Sequence, residues 1–329
     1  MEALQSIEVQ WIAILQGWLH GSSGIFNAIT LLGSEDFFIL VMPVLYWCVD
    51  AALGLRVGII LMLSGHLNGV FKLLFHSPRP YWVSADVLAG STETSFGMPS
   101  GHAMNTLSIW GLTARLLSKP WFTALSVAVI ILVGFSRIVL GVHFISDVIA
   151  GWLLGGILLV LFIKLNTPVT SWLKGLSTRG HVLLAFGSTM ILILLGILPA
   201  SLTLPAPLPA DWIANATRTS VEAPVPYEIS GLFTTAGTWL GMTLGVAILY
   251  RKGGLKSTTS NLHRLMRYII GLVGLFLFWY GLKLVFPDGE TWLPLFLRLI
   301  RYALVGLWIG LGAPLVFHQL KLFTSKVVD

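Results

Sequence analysis

The sequence predicts an all-α protein, a bundle of about nine helices that cross a membrane, and three observations carry that expectation. Apolar residues fill 56% of the 329 positions and charged residues only 10%, where soluble domains hold roughly a quarter charged. Apolar runs long enough for a bilayer, about 20 residues each, recur along the whole chain. The basic residues also divide unevenly between the loops on alternate sides of those runs, as they do in proteins that cross membranes.

The elements follow in chain order. Residues 1–36 form an N-terminal segment in which Leu4, Ile7, Trp11, Ile14, Leu15 and Trp18 fall on one helical face. With two tryptophans among them, this face reads as a helix lying in the membrane interface. A tenth span over the same residues is the alternative, and it would move only the N-terminus. No basic region precedes this stretch, and Glu2 and Glu8 are acidic, which argues against a cleaved signal peptide.

Residues 37–200 are expected to form a catalytic transmembrane core with spans near 37–53, 57–75, 102–118, 121–139, 144–163 and 182–200. Residues 201–329 add an extracytoplasmic loop and three spans near 231–250, 268–286 and 296–317. The loop, Leu202 to Ile229, is rich in proline and small polar residues and reads as irregular. Loops on one side carry 13 of the 20 basic residues, among them Arg115, Lys119, Lys164, Lys252, Lys256, Lys321 and Lys326. That side is therefore cytoplasmic, and the N-terminus faces the other way. The net charge of +6 follows from this loop bias and gives no sign of a nucleic-acid partner. The single cysteine, Cys48, rules out an internal disulfide and argues against a thiolate metal site.

Charges at span ends are costly unless paired or used, and three clusters of them fall on the extracytoplasmic side. In Lys72-Leu-Leu-Phe-His-Ser-Pro-Arg79-Pro80, Lys72 sits in the last turns of an apolar helix. Pro78 and Pro80 stop that helix and hold Arg79 on a stiff exit. Taken alone, this cluster reads equally as a snorkelling lysine followed by a loop arginine. In Pro99-Ser100-Gly101-His102, Ser100 stands at the N-cap of a span and Gly101 admits a close ligand. The exposed amides there form a natural phosphate cradle, though an ordinary capped helix start has the same look. In Ser136-Arg137-x5-His143-x3-Asp147, the last two residues are four apart and share a helical face. A carboxylate there can fix the imidazole tautomer, the orienting half of a nucleophile triad. A structural pair, or a zinc site, would use the same two residues, but two nearby arginines would repel a cation. Together the clusters set three cationic side chains and two histidines on one membrane face, and phosphate is the ligand that calls for such a set.

These segments resemble the three-part signature of the type 2 phosphatidic acid phosphatase superfamily, and they match it at every position from Lys72 to Asp147. That superfamily includes lipid phosphate phosphatases, undecaprenyl-diphosphate phosphatases, glucose-6-phosphatase and vanadium haloperoxidases. Arg79-Pro80-Tyr81-Trp82, the nine-span layout and the stretch from Phe233 to Gly241 are similar to glucose-6-phosphatase, whereas Asp147 follows the general superfamily pattern. The resemblance implies a helix-bundle catalytic core and hydrolysis of a phosphomonoester or diphosphate through a phosphohistidine. In that scheme His143 is the nucleophile, Asp147 orients it, and His102 is the general acid and base. Lys72, Arg79, Ser100, Gly101 and Arg137 bind the phosphate. No metal and no cofactor are expected. The expected partners are the bilayer and a phosphorylated lipid such as phosphatidate, phosphatidylglycerol phosphate or undecaprenyl diphosphate; a sugar phosphate, phosphotransfer to another acceptor and a non-catalytic lipid-binding role are the alternatives.

Overall fold

In the computed structural model the described residues are 2–19, 21–202, 206–220, 222–251, 254–255 and 260–323, and no strand occurs among them. Lys252, Lys256 and Lys326, counted above toward the cytoplasmic side, lie outside the described residues. Seven helices are long and apolar enough to cross a membrane, or eight if the pair Ser23–Gly33 and Glu35–Val49, bent by 48°, counts as one span. The chain is thus an all-α, multi-pass membrane protein, but the expected count of nine is not reached. Two local causes account for the difference. The expected first span, 37–53, falls on the helix Glu35–Val49, which is short and bent by 48° against Ser23–Gly33. The helix Gly101–Leu117 has only 17 residues, at the short end for a bilayer.

The chain divides into two compact units. The first comprises residues 1–38, 63–164 and 197–228. Its helices are α1 (Glu2–Trp18), α2 (Ser23–Thr30), the start of α3 (Glu35–Pro43) and the second half of α4 (Ala51–Phe75). The short α5 (Pro80–Val83), then α6 (Gly101–Leu117), α7 (Pro120–Val139) and most of α8 (Ile145–Lys174) follow. The end of α9 (Thr178–Leu202) and α10 (Ala210–Thr219) complete it. The last helix corrects the sequence reading, which took Leu202 to Ile229 as irregular. Pro209 opens α10, Asp211 lies in its first turn and Arg218 in its last, the polarity that suits the helix dipole.

Two glycines on α8 decide how closely it meets α6. A Cβ at Gly151 would fall 2.6 Å from the Ser100 carbonyl oxygen, and one at Gly155 2.7 Å from that of Met104. Spaced four apart, they form the small-residue seam that lets membrane helices touch backbone to backbone. This contact brings Asp147 to the start of α6, where its carbonyl accepts the Ser100 N–H at 2.9 Å. A buried cluster of Ile12, Tyr81, Trp82, Phe96, Val142 and Phe144 packs beneath the loops between these helices.

The second unit holds residues 39–62, 165–196 and 229–329. Here α11 (Ser230–Arg251), α12 (Asn261–Phe276), α13 (Trp292–Leu307) and α14 (Ala313–Gln319) surround a core of Trp47, Met242, Leu275, Val305, Ile309 and Phe317. Three π-helical turns interrupt its helices, at Val44–Val49, Leu277–Gly281 and Trp308–Gly312. Such turns shift carbonyls off the i−4 ladder, and the Ile309 carbonyl in one of them accepts the Trp47 indole N–H at 3.1 Å. Leu183, Phe186, Met190, Ile191 and Leu194 of α9 stay exposed, as expected of a helix whose solvent is lipid.

Candidate active site

The site lies within the first unit. Lys72 stands in the last turn of α4, and its ammonium donates to Ser95 Oγ at 2.8 Å. The chain then leaves the helix through Pro78, and Arg79, fully buried, sits just ahead of α5. Arg79 Nε donates to the Ser95 carbonyl at 2.6 Å, and Nη1 to the Val142 carbonyl at 2.9 Å. Its Nη2 reaches the Phe96 carbonyl at 3.1 Å and Ser95 Oγ at 3.2 Å. A guanidinium in so many fixed bonds is a rigid fork aimed at an anion. Arg137, in the last turn of α7, donates through Nη1 to Thr30 Oγ1 at 3.0 Å.

His143 and Asp147 meet as their spacing predicts. Nδ1 of His143 lies 3.2 Å from Oδ2 of Asp147, and the same oxygen accepts the Phe144 N–H at 3.0 Å. Asp147 therefore caps the start of α8 in the manner of the third residue of a capping box, and it orients the imidazole at the same time. With Asp147 as a carboxylate, which only accepts, the proton between them rides on Nδ1 and the lone pair is on Nε2. That Nε2 faces Arg79 Nη1 at 3.3 Å, which puts an imidazole nitrogen beside the guanidinium fork.

Ser100 occupies the N-cap of α6, but its hydroxyl makes no capping bond. Its Oγ is buried without a protein partner, which leaves it free for a ligand oxygen. Gly101 follows, with the Asn68 carboxamide closing over it. Asn68 also donates to the Pro99 carbonyl at 3.0 Å, so this residue of α4 holds the loop in place. His102, in the first turn of α6, sits among the charges of Arg137, Glu93, Lys72 and Arg79. Every residue expected from the sequence is thus gathered at one site: Lys72, Arg79, Ser100, Gly101, His102, Arg137, His143 and Asp147.

One group was not anticipated. The Glu93 carboxylate lies between the two arginines, with Oε1 on Arg137 Nη2 and Oε2 3.4 Å from Arg79 Nη2. Burial works to raise its pKa, but Arg79, Arg137 and Lys72 together pull it well below the usual carboxylate range. Glu93 thus places an anion on both guanidinium groups at once. Ser95, two residues on, ties Lys72 to Arg79, and Thr30 anchors Arg137. The one signal in the sequence was an acidic residue in the loop just ahead of a motif rich in phosphate-binding character. Among the described residues, no three metal-ligating side chains are placed to hold an ion.

Comparison with known proteins places this geometry in a family. Residues 53–170 match the family model of the PAP2 superfamily, and residues 233–326 match that of the PAP2 superfamily phosphatase transmembrane extension. An undecaprenyl-diphosphatase of Sulfolobus acidocaldarius is 34% identical over 34% of this chain and 56% of its own length. Sphingosine-1-phosphate phosphatase 1 of Mus musculus is 34% identical over 41% of this chain and 33% of its own. The chain therefore spans about half or less of these two relatives. Phosphatidylglycerophosphatase B of Bacillus subtilis is 29% identical over 48% of this chain and 80% of its own length. A crystal structure of a transmembrane PAP2-type phosphatidylglycerolphosphate phosphatase from Bacillus subtilis aligns with a TM-score of 0.45 and 25% identity, over 51% of this chain and 89% of that one. With two models of one superfamily matched along the sequence and the signature side chains assembled at one place, the chain belongs to the PAP2 superfamily.

Proposed function

We propose that the protein is a membrane phosphatase that hydrolyses a lipid phosphate or diphosphate at the extracytoplasmic face. The observation that carries this reading is the His143–Asp147 pair at 3.2 Å, with Nε2 turned toward the Arg79 fork. The three relatives named above are phosphatases of lipids by their names, which supports a lipid substrate. The bias of basic residues toward the opposite loops supports the extracytoplasmic face. In the same reading, the exposed apolar face of α1 lies in the membrane interface.

In the proposed reaction the phosphate displaces Glu93 and takes its three non-bridging oxygens to Arg79, Arg137, Lys72, Ser100 Oγ and the Gly101 amide. His143 Nε2 attacks phosphorus, and the bond from phosphorus to the ester oxygen breaks. Asp147 accepts from Nδ1 throughout and stabilises the cationic imidazole. His102 gives its proton to the departing oxygen, then takes one from the water that attacks the phosphohistidine. Phosphate leaves and both histidines return to their starting state. The protein's own cations supply the positive charge in every step, so activity is expected to persist in EDTA; complete loss on chelation with rescue by magnesium would contradict this scheme.

The deciding experiment measures phosphate release by the purified full chain from phosphatidate, phosphatidylglycerol phosphate, undecaprenyl diphosphate and glucose 6-phosphate, with His143→Ala as blank. Release from one of the lipids and not from glucose 6-phosphate is expected. Preference for the sugar phosphate would overturn the lipid assignment and leave the phosphatase assignment standing.

A further inference from the structure

Helix α1 is amphipathic the wrong way round for a helix packed on a protein. Its apolar residues Leu4, Ile7, Trp11, Ile14 and Trp18 are exposed, while Gln5, Glu8 and Gln16 fall on the opposite stripe together with the buried Ile12. Helical residues at these spacings share a face, so α1 is docked on the first unit largely through polar groups. Gln16 Nε2 donates to the carbonyls of Leu88 at 2.8 Å and Val139 at 3.0 Å, and its Oε1 accepts the Leu88 N–H at 3.0 Å. Gln5 Nε2 donates to Ser77 Oγ at 3.3 Å. Glu8 is buried (6% exposed). Its Oε1 accepts the Ser146 backbone N–H at 2.8 Å and its Oε2 accepts the Ser146 hydroxyl at 2.9 Å.

Ser146 is the second residue of α8 and the immediate neighbour of Asp147. Its N–H is one of the first four donors of that helix, which have no partner within the helix. Asp147 spends Oδ2 on the Phe144 N–H and on His143, and its Oδ1 makes no bond to Ser146. The carboxylate that completes the cap comes from α1, 138 positions away in sequence. We propose that Glu8 is a positioning residue: by clamping the first turn of α8 from outside, it fixes Asp147, and through Asp147 the imidazole of His143. Burying a carboxylate is costly without charge-assisted hydrogen bonds, and here both of its oxygens are used on one residue of the catalytic helix. Gln16 docks the same helix on backbone carbonyls away from α8, which makes it the natural control.

This inference rests on the phosphatase reading for its kinetic test and on exchange for an independent one. Glu8→Ala, Glu8→Gln, Glu8→Asp, Gln16→Ala and Ser146→Ala would be purified as full chains and assayed on phosphatidate in mixed micelles. Misplacing a catalytic group by about 1 Å can cost 10²-fold. Glu8→Ala is therefore expected to lower kcat by about 10–10²-fold with KM within about twofold. Glu8→Asp should recover part of that loss, Glu8→Gln should fall between, and Gln16→Ala should leave kcat within about twofold. In the double-mutant cycle, the effect of Glu8→Ala should shrink on the Ser146→Ala background. Hydrogen exchange read over residues 143–148 should quicken in Glu8→Ala and Glu8→Gln and not in Gln16→Ala. A folded Glu8→Ala protein with wild-type kcat, or Glu8→Ala and Gln16→Ala losing kcat alike, would overturn the proposal. If the wild-type chain cleaves no phosphate ester, the phosphatase reading fails, and unchanged exchange at 143–148 in Glu8→Gln would then still reject the role of Glu8.

Discussion

Both units of the molecule bury arginines, and they treat them differently. In the first unit Arg79 and Arg137 share the Glu93 carboxylate, and Arg79 makes further bonds to the carbonyls of Ser95, Phe96 and Val142. In the second unit Arg267 lies with its guanidinium carbon 4.7 Å from the centre of the Phe323 ring, and Arg301 with its own 5.0 Å from that of Tyr302. Nε of each is buried without a hydrogen-bond partner, as is that of Arg137, but no carboxylate among the described residues pairs with Arg267 or Arg301. Ring faces stabilise a cation without setting a direction for it. A carboxylate and a set of carbonyls fix a fork in place, and that fork can then receive an anion in one orientation. Burial of a cation is therefore no mark of function by itself.

The sharpest test of that difference is at the nucleophile. His143→Ala is expected to abolish turnover, since no other side chain at the site combines an ionised partner with a lone pair facing Arg79. His102→Ala should slow a substrate with a poor leaving group by roughly 10²–10⁴-fold, and an aryl phosphate less, because the aryl oxygen departs without a proton. Wild-type phosphate release by His143→Ala would sink the mechanism, and an equal loss on both substrates would remove His102 from its acid role.

How much of this was readable beforehand divides along the same line. Lys72, Arg79, His102, Arg137, His143 and Asp147 were legible because their spacing is local: a helix end, a proline stop, an i,i+4 pair. Glu93 was not, because nothing in the sequence says that a loop acid reaches arginines 14 and 44 positions away. Glu8 was hidden for the same reason. The span count went astray where hydropathy misses backbone events, in the helix that stops at Val49 and in the short α6. The helix α10 was masked by the prolines around it, which end helices as readily as they start them. The C-terminal segment likened to glucose-6-phosphatase from Phe233 onward is matched by the transmembrane extension of PAP2 superfamily phosphatases.

The glycine seams offer a second contrast, smaller in effect. Gly151 holds α8 against Ser100 and Ala103, next to the site, whereas Gly237 of α11 meets Tyr302 and Ala303 of α13 in the second unit. Gly151→Ala should cost about 1–3 kcal/mol through overpacking and lower kcat several-fold as well, because it pushes Asp147 away from α6. Gly237→Ala should lower thermal stability by a similar amount and leave kcat per folded molecule unchanged. Equal kinetic effects from the two would erase the distinction between a seam that places the site and one that only packs.

Glu93→Gln tests the seated anion itself. The neutral amide competes less with phosphate for Arg79 and Arg137, so KM is expected to fall several-fold, with kcat altered less. The same change removes charge compensation from two buried cations, so the melting temperature should drop and inorganic phosphate should restore it more in the variant than in the wild type. The pH sign follows from the direction of the shift. A carboxyl held below its ordinary value gives stability that is present above the unfolded pKa of about 4.3 and is lost as pH falls through the lower folded value. The gap in melting temperature between wild type and variant should therefore be widest near neutrality and close below about pH 4. A gap that grows on acidification would show that Glu93 is not paired as a carboxylate.

The least effect is expected from Arg301→Met, and it bears most directly on the comparison. Arg301 is 3% exposed, but its nearest charge-directed contact is the ring of its own neighbour Tyr302. Replacing a buried ion by an apolar side chain of similar length is often neutral or stabilising, so the melting temperature should hold or rise. Turnover should stay within about twofold of wild type, while the same change at Arg79 should remove it, since that fork both holds the substrate phosphate and faces the nucleophile. If Arg301→Met abolished turnover in a folded protein, the second unit would contain an anion requirement of its own, and a ring-flanked arginine could no longer be read as structural.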